Sequence, residues 1–369
     1  MKILTGLSSA SNIDSAVTQV IENFKTPELI IFFAPVKKFQ AVAEKFKDLF
    51  SDTTVLGTTS HYMFSNNGIS ENTIYAISFE EGIQFGSGVI EEIKRYPLKY
   101  APVVQDQLNK VPKENTICME FTTALSMSEE LVLALYDTVY APYSIPVFGG
   151  SSGMSETEFE NKETSFVSYN GKVYSEASIF VFIHNEKGKI EIFKQNIYKK
   201  SSDFFRVTDV DVKNRIVKEL DGKPAAEILA AEIPCVKEEL PYYLQIYPVG
   251  RVMANGFYIS DLNKVLPDGS VSWNSRIYNE TRICLVEPDD YKKITNETIK
   301  KVHEKIKDPS FVFMINCLAL TVYYKKTNYL NEFSDLMGKS FKHFAGFSST
   351  GEQLNDMHLN QTMIMAVFE

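Results

Sequence analysis

Val147-Phe148-Gly149-Gly150-Ser151-Ser152-Gly153 is an apolar strand end that runs straight into small and hydroxyl residues. Val55-Leu56-Gly57-Thr58-Thr59-Ser60 is a second copy, and Phe344-Ala345-Gly346-Phe347-Ser348-Ser349-Thr350-Gly351 a third. Short glycine-hydroxyl runs are common, so the flanks decide whether these are repeats. Upstream of each lies a β-like apolar run, at Leu29–Ala34, residues 117–121 and Phe311–Cys317. The spacing predicts one amphipathic helix between each run and its glycine. Ile74, Phe166 and Met363 each stand seventeen positions after Gly57, Gly149 and Gly346, each preceded by Thr or Ser and each opening another apolar run. One unit, β-α-β-loop-β, is therefore read three times. Residues 1–9 contain Gly-Leu-Ser-Ser without that spacing and stand as a worn fourth copy.

A chain of 369 residues exceeds the size at which one core keeps growing, so two domains are expected. Hydrophobic content of 44% with 23% charged residues is that of a core-forming globular protein. A net charge of −9 and a pI of 5.3 exclude a nucleic-acid partner, which requires concentrated positive surface. The lysine pairs 199–200 and 325–326 read as solvated surface. The N-terminus lacks the apolar region of a signal peptide, and residues 311–322, interrupted by Asn316, fall short of a spanning helix. A cytoplasmic chain with no membrane insertion is expected. Cys118, Cys235, Cys284 and Cys317 lie far apart with no C-x-x-C, so neither a metal site, a disulfide framework nor a cofactor is expected.

Taken in order, the chain predicts a strand over 1–9, a helix from Ile13 to Phe24, and the first repeat from Leu29. Residues 94–113 read as a connector with a short helix. Ser126 and Glu129 resemble a capping box for a helix over 128–140. Asn170-Gly171 signals a hairpin between strands at 165–169 and 177–183. Apolar density drops at 199–203, which sets the expected domains at 1–203 and 204–369. Beyond it, 212–220 fits helix and strand equally, and Pro224 starts a helix over 225–232. Residues 241–249, 252–258 and 281–287 read as strands, 290–307 as a solvated helix, and 327–337 as the third repeat's helix, with Gly338 just past its end. The fold class is α/β: mixed, partly parallel sheets built from repeated β-α-β-loop-β units, in two domains with helices packed on the sheets.

A glycine at a strand's end followed by hydroxyls offers close backbone approach, free N–H groups and short donor-acceptor side chains at the carboxyl edge of parallel strands, where open α/β sheets bind ligands. Three such loops converging can surround a small polar molecule, an amino acid or similar metabolite. The candidate ligand-binding residues are Gly57, Thr58, Thr59, Ser60, Gly149, Gly150, Ser151, Ser152, Ser348, Ser349, Gly351 and Glu352. The competing structural reading is that these hydroxyls only satisfy tight turns. Gly149 to Gly153 also matches the G-x-S-x-G string of hydrolases, with His343 or His358 downstream; residues 154–162 carry no apolar stripe to form the helix that such an elbow needs. A non-enzymatic binder is expected, with a serine hydrolase using Ser151 and a pocketless scaffold as the alternatives. His61, directly after the first loop, is a further candidate contact.

These motifs, in this order, resemble the FIST family. Val55 to Ser60 resembles the strand-to-loop motif near the start of its N-terminal region, and Val147 to Gly153, with Thr164 to Asn170 and Gly171-Lys172-Val173, the closing motif of that region. Arg206-Val207-Thr208 with Glu219 to Ala225 is similar to the opening of its C-terminal region, and Gly346 to Glu352 with Asn360-Gln361-Thr362 to its end. The resemblance implies a hairpin feeding a helix over 206–225. It also implies a sensory, small-ligand-binding module of signal transduction, commonly joined to receptor or kinase output, for which this chain has no room. A signalling partner with receptor, kinase or cyclase output is the implied protein contact. The chain departs from the pattern after Gly57 and at Leu320, where the family often has Arg.

Overall fold

The opening strand of each repeat is apolar on both faces, as a strand covered on both sides must be. In the computed structural model, which describes residues 1–233, 235, 237–253 and 256–369, these strands are Leu29–Ala34, Thr116–Thr122 and Phe311–Cys317, each buried along its whole length. Each pairs in parallel with the strand that carries the repeat's glycine: Thr54–Thr59, Val147–Ser151 and Phe344–Ser349. Parallel neighbours need a crossover, here helical. It is Phe39–Leu49 in the first repeat, Glu129–Tyr140 in the second, and Leu318–Lys326 with Leu330–Ser340 in the third. The closing strands Ile74–Glu81, Ala177–Asn185 and Met363–Phe368 return antiparallel on the opening strand's other edge. One further strand finishes each sheet: Lys2–Ser8, Ile83–Glu91 and Ile190–Gln195.

The hairpin that follows each glycine strand does not join its own sheet. Tyr62–Ser65 and Gly68–Glu71 extend the third repeat's sheet through Phe344–Ser349. Val167–Tyr169 and Lys172–Tyr174 extend the first repeat's sheet through Thr54–Thr59. Glu352–Leu354, with its return strand Met357–Leu359, extends the second repeat's sheet through Val147–Ser151. The exchange closes a ring. All three six-stranded sheets consequently share one strand order. An asparagine in each hairpin turn fastens the seam: Asn170 Oδ1 accepts from Val55 N at 2.9 Å, Asn355 Oδ1 from Val147 N at 3.2 Å, and Asn66 Oδ1 from Phe344 N at 2.9 Å. Val55, Val147 and Phe344 each stand two positions before their repeat's glycine. Asn170 and Asn355 hold φ of 49° and 55°, a left-handed conformation that asparagine tolerates.

The sheets enclose one apolar core. Phe33, Phe121 and Phe347, one from each sheet, meet at centroid distances of 5.8, 5.0 and 5.7 Å, and burial of each ring contributes about 1.5–3 kcal/mol. The helices cover the outer faces, with Phe32 packed against Phe39 and Phe46 of the first helix and Phe180 against Tyr136 of the second. By packing, the chain divides into residues 1–194, 297–357 and 363–369, and a second unit of 195–296 with 358–362. A cut at 199–203 into 1–203 and 204–369 is thus not where packing divides it. The third repeat shares the core of the first two because its sheet needs the first repeat's hairpin.

The second unit is built on antiparallel pairs. Phe205–Asp211 and Ile216–Leu220 form the hairpin implied by the family pattern, and Ala225–Glu232 the helix after it. Val207, Leu220, Leu229, Leu244 and Trp273 centre its core. The stretch 241–249, read as a strand, is mostly the helix Leu240–Ile246: Pro241 sits in its first turn, where a missing N–H costs nothing, and Leu240 and Leu244 bury one face. Residues 252–258 belong to two paired strands, Val249–Met253 and Gly256–Ser260; positions 254 and 255 lie outside the described residues.

Five further expectations are corrected. The seventeen-residue spacing fails in the second repeat, whose closing strand starts at Ala177 and whose Phe166 precedes the hairpin, because the helix Glu156–Glu160 is inserted there. Asn170-Gly171 consequently joins Val167–Tyr169 to Lys172–Tyr174. Ser126 and Glu129 form no capping box; that motif is made by Ser155 and Glu158. Gly338 lies inside its helix, where a Cβ would meet Ser65 O at 2.8 Å, and residues 1–9 supply an outer antiparallel strand rather than a fourth repeat. Among the described residues no helix is long and apolar enough to cross a membrane.

Candidate functional site

The ring exchange of hairpins brings the three glycine loops together. Thr59 O accepts from Gly153 N at 2.7 Å and Ser151 O from Thr350 N at 3.3 Å, so one loop is laid on the next; Ser151 N donates to Gly351 O at 2.8 Å. Every predicted hydroxyl is buried, and each has an internal partner. Thr58 Oγ1 donates to Ser152 Oγ at 3.0 Å, and Ser152 Oγ donates to Phe166 O at 3.2 Å and Thr122 O at 3.3 Å. Phe166 N donates to Thr59 Oγ1 at 3.5 Å, Ser60 Oγ to Tyr62 O at 2.9 Å, and Ser349 Oγ to Glu352 Oε1 at 2.6 Å. Ser151 Oγ accepts from Gln353 Nε2 at 3.0 Å, an amide that cannot serve as its base. A short helix, Glu156–Glu160, does follow the Gly149–Gly153 string.

The repeat glycines answer to side chains that lie across them. A Cβ on Gly57 would meet the Phe32 ring at 2.2 Å, on Gly149 Glu120 O at 2.4 Å and Glu120 Oε1 at 2.5 Å, and on Gly346 Met314 O at 2.8 Å. Gly150 is tight for another reason, with Ile315 Cγ2 and Ser349 Cβ each 3.0 Å from its Cβ position. Glycine here is required by packing, whatever else the loops do.

At the third repeat the loops adjoin further polar side chains, among them Thr321, Lys325, Tyr62, Glu71 and Glu156, that carry no site signal in the sequence. Ser348 Oγ lies 3.1 Å from Thr321 Oγ1, which accepts from Asn316 Nδ2 at 2.8 Å. Asn316 is fully buried, and its Oδ1 has no hydrogen-bond partner among the described residues. One turn along the same helix from Thr321, Lys325 Nζ donates to Tyr62 OH at 3.0 Å and to Glu71 Oε1 at 3.3 Å. Tyr62 OH donates to Glu156 Oε1 at 2.8 Å, and His61 Nε2 lies 3.6 Å from Glu71 Oε2. The first repeat supplies His61, Tyr62 and Glu71, the second Glu156, the third Lys325. Burial pushes the Tyr62 phenol up to about 12 despite Lys325, and the bond to Tyr62, with Glu71, holds the Lys325 ammonium above its usual range. Lys325 and Glu156 are half to one-third exposed, so this cluster faces solvent above buried hydroxyls. Two members carried a sequence signal: His61, directly after the first loop, and Asn316, the polar break in an apolar run. Leu320, where the family often has Arg, is buried.

The second repeat carries a buried acid on the helix side of its sheet. Glu120 Oε2 accepts from Thr122 Oγ1 at 2.7 Å and Ser178 Oγ at 3.1 Å, and burial pushes the carboxyl up to about 8. In the second unit Asp261 is pushed up to about 6 by burial, against a bond from Gln361 Nε2 at 2.7 Å. Surface hollows of about 340 and 290 Å³ lie away from the loops, beside Arg95 and Tyr174 and beside Phe193 and Lys305. Among the described residues no group of three His, Cys, Asp or Glu is placed to hold a metal ion.

Comparison with curated proteins finds no match. Residues 28–223 match the FIST N domain and residues 225–355 the FIST C domain. The junction between the two matches, at 224, falls inside the second packing unit rather than at its edge. With more than half of its length matched by the first domain alone, the chain belongs to the FIST family, sensory domains of signal transduction.

Proposed function

We propose that this chain senses a small zwitterionic metabolite, an amino acid or a molecule of similar size, in intracellular signal transduction, and binds it without turnover. The observation that carries the reading is the convergence of all three repeats on one cluster: Lys325 flanked by Glu71 and Glu156, bridged by Tyr62, above Ser60 and Ser348. A ligand carboxylate would replace the carboxylates now held by Lys325, and the ligand ammonium would take the acids so released; charge-assisted bonds of this kind are the stronger ones. The glycine-hydroxyl loops 57–60, 149–152 and 348–352 form the rigid floor, Asn316 Oδ1 offers an acceptor, and the signal passes to a partner protein. Ser151, held by an amide donor, supports binding over acyl transfer.

The test is a thermal-shift screen of the twenty amino acids and their small carboxylate relatives, since a ligand selective for the folded state raises the melting temperature. A shift for one chemical class, abolished by Lys325→Met and retained by Ser151→Ala, is expected. Release of nitrophenol from short acyl esters that depends on Ser151 would overturn the reading in favour of a hydrolase.

A further inference from the structure

Phe32, Glu120 and Met314 occupy one place in three copies of one backbone, each on the opening strand directly across from its repeat's glycine. Two are apolar, as a sheet face covered by a helix requires. The third is a carboxyl group with no exposed surface. Its Oε2 is satisfied by Thr122 and Ser178, but its Oε1 is buried without a partner among the described residues. Around it the polar atoms are acceptors as well as donors: Ser178 Oγ is 3.1 Å from Tyr136 OH, and Tyr140 OH, one turn further along the helix, is also buried without a partner among the described residues. The titratable groups that influence Glu120 or are influenced by it are Cys118 on its own strand and Glu129, Tyr136 and Tyr140 on the covering helix. None of these is a cation. A buried carboxylate is tolerated when a positive partner is supplied.

We propose that the second repeat contains a receptor for a primary ammonium group, with Glu120 Oε1 as its anion and the neighbouring hydroxyls as further acceptors. A primary ammonium presents three donors, which suits a bare carboxylate oxygen whose twin is held by two hydroxyls; a hard divalent ion asks for more carboxylate oxygens than one side chain gives. Access is through residues 123–128, which join Thr122 to the helix that begins at Glu129. Leu125 and Met127 in that segment hold φ of 58° and 56°, a left-handed conformation costly for both side chains, and both are more than one-third exposed. A strained, partly exposed segment that starts three residues after an incompletely satisfied acid is a place that opens readily. This receptor is distinct from the loop cluster and does not depend on it.

Binding converts the Glu120 acid to its carboxylate: the O–H bond breaks, the proton leaves to solvent, and the ammonium takes its place with its own protons retained. Because burial holds the acid up to about 8, at pH 7 each ammonium bound displaces close to one proton, and affinity rises about tenfold per pH unit between 6 and 7.

The experiment is calorimetric titration of the full chain with methylammonium chloride, at pH 7 in two buffers of different ionisation heat and at pH 6 in one. Sodium chloride and tetramethylammonium chloride serve as matched controls. Saturable binding with proton release is expected, weakened tenfold or more in both Glu120→Gln and Glu120→Met, the second of which installs the third repeat's residue. Absence of saturable heat, equal binding by sodium or tetramethylammonium, or unchanged affinity in the variants overturns the proposal. If the variants fail to fold, the wild-type chain still decides, because binding without proton release contradicts Glu120 as the anion.

Discussion

The first and second repeats share a strand order, a parallel pair around a glycine, and a covering helix, yet their helix-side interiors differ in kind. Beneath the first helix Phe32 stacks on Phe46 at 4.9 Å and lies 5.3 Å from Phe39, within an apolar cluster. Beneath the second, the same position is Glu120, surrounded by Thr122, Ser178 and Tyr136. The backbone is set by features common to both: the buried opening strand, the glycine across it, and the asparagine that ties a neighbour's hairpin to the glycine strand. Chemistry is then free to change at one side chain without altering the fold. A repeat architecture can thus keep two copies for packing and specialise the third.

The largest losses of stability are expected at the glycines. Gly57→Ala and Gly149→Ala each place a methyl group inside atoms that cannot retreat, a stacked ring in one and a backbone oxygen in the other, so each is expected to cost about 3 kcal/mol or more. Gly346→Ala is milder, because its first obstacle is 2.8 Å away and the Met314 side chain flexes. Urea denaturation measures the order, and a cost below about 1 kcal/mol at Gly149 would remove the packing argument. Next come the hairpin asparagines. Asn66 also donates to Gly338 O and Phe341 O at 2.8 Å, so Asn66→Ala should cost about 2–3 kcal/mol and Asn355→Ala about 1 kcal/mol. Equal losses would show that the three seams are not made by these bonds.

The pH dependence sharpens the contrast between the repeats. Glu120 has a folded-state value of about 8 against an ordinary 4.5, so the unfolded chain binds fewer protons across that window. Stability is fully present below about pH 4.5 and falls as pH rises through about 8. Asp261 acts in the same direction between 3.8 and about 6. Denaturation midpoints at pH 5, 7 and 9 should therefore fall, and Glu120→Gln should flatten the part of the slope above pH 6, where Asp261 no longer contributes. A slope unchanged in that variant would mean that Glu120 is ionised in the fold. The smallest stability effect is that of Lys325→Met. Its ion pairs are half exposed and worth under about 1 kcal/mol, while its effect on ligand response is complete.

The repeats were legible because each element announces itself locally: a run of apolar residues, a helical stripe, a glycine. The exchange of hairpins was not. Tyr62–Ser65 and Glu352–Leu354 are too short to stand out as strands, and nothing in a hairpin's sequence says whose edge it completes. That also hid the packing units, since the low apolar density at 199–203 marks the end of a short strand, Tyr198–Lys200, and the loop after it, whereas the core is set by pairing between residues 280 or more apart, such as Phe64 with Gly346 and Ser65 with Ala345. The hydroxyls of the loops were visible as a cluster, but their engagement with one another required coordinates. Lys325 was hidden in an ordinary lysine pair, and only its helical turn from Thr321 sets it beside Tyr62. Glu120 was the quietest signal of all, one acid in an apolar strand.

The proposed sensing site lies where the three repeats meet. Backbone amide shift mapping by NMR, on the full chain titrated with the compound that most raises its melting temperature, tests it directly. The largest shifts are expected on Ser60 to Tyr62, Gly153 to Glu156, Thr321 to Lys325 and Ser348. Shifts concentrated in residues 195–296, with those loops unmoved, would contradict it.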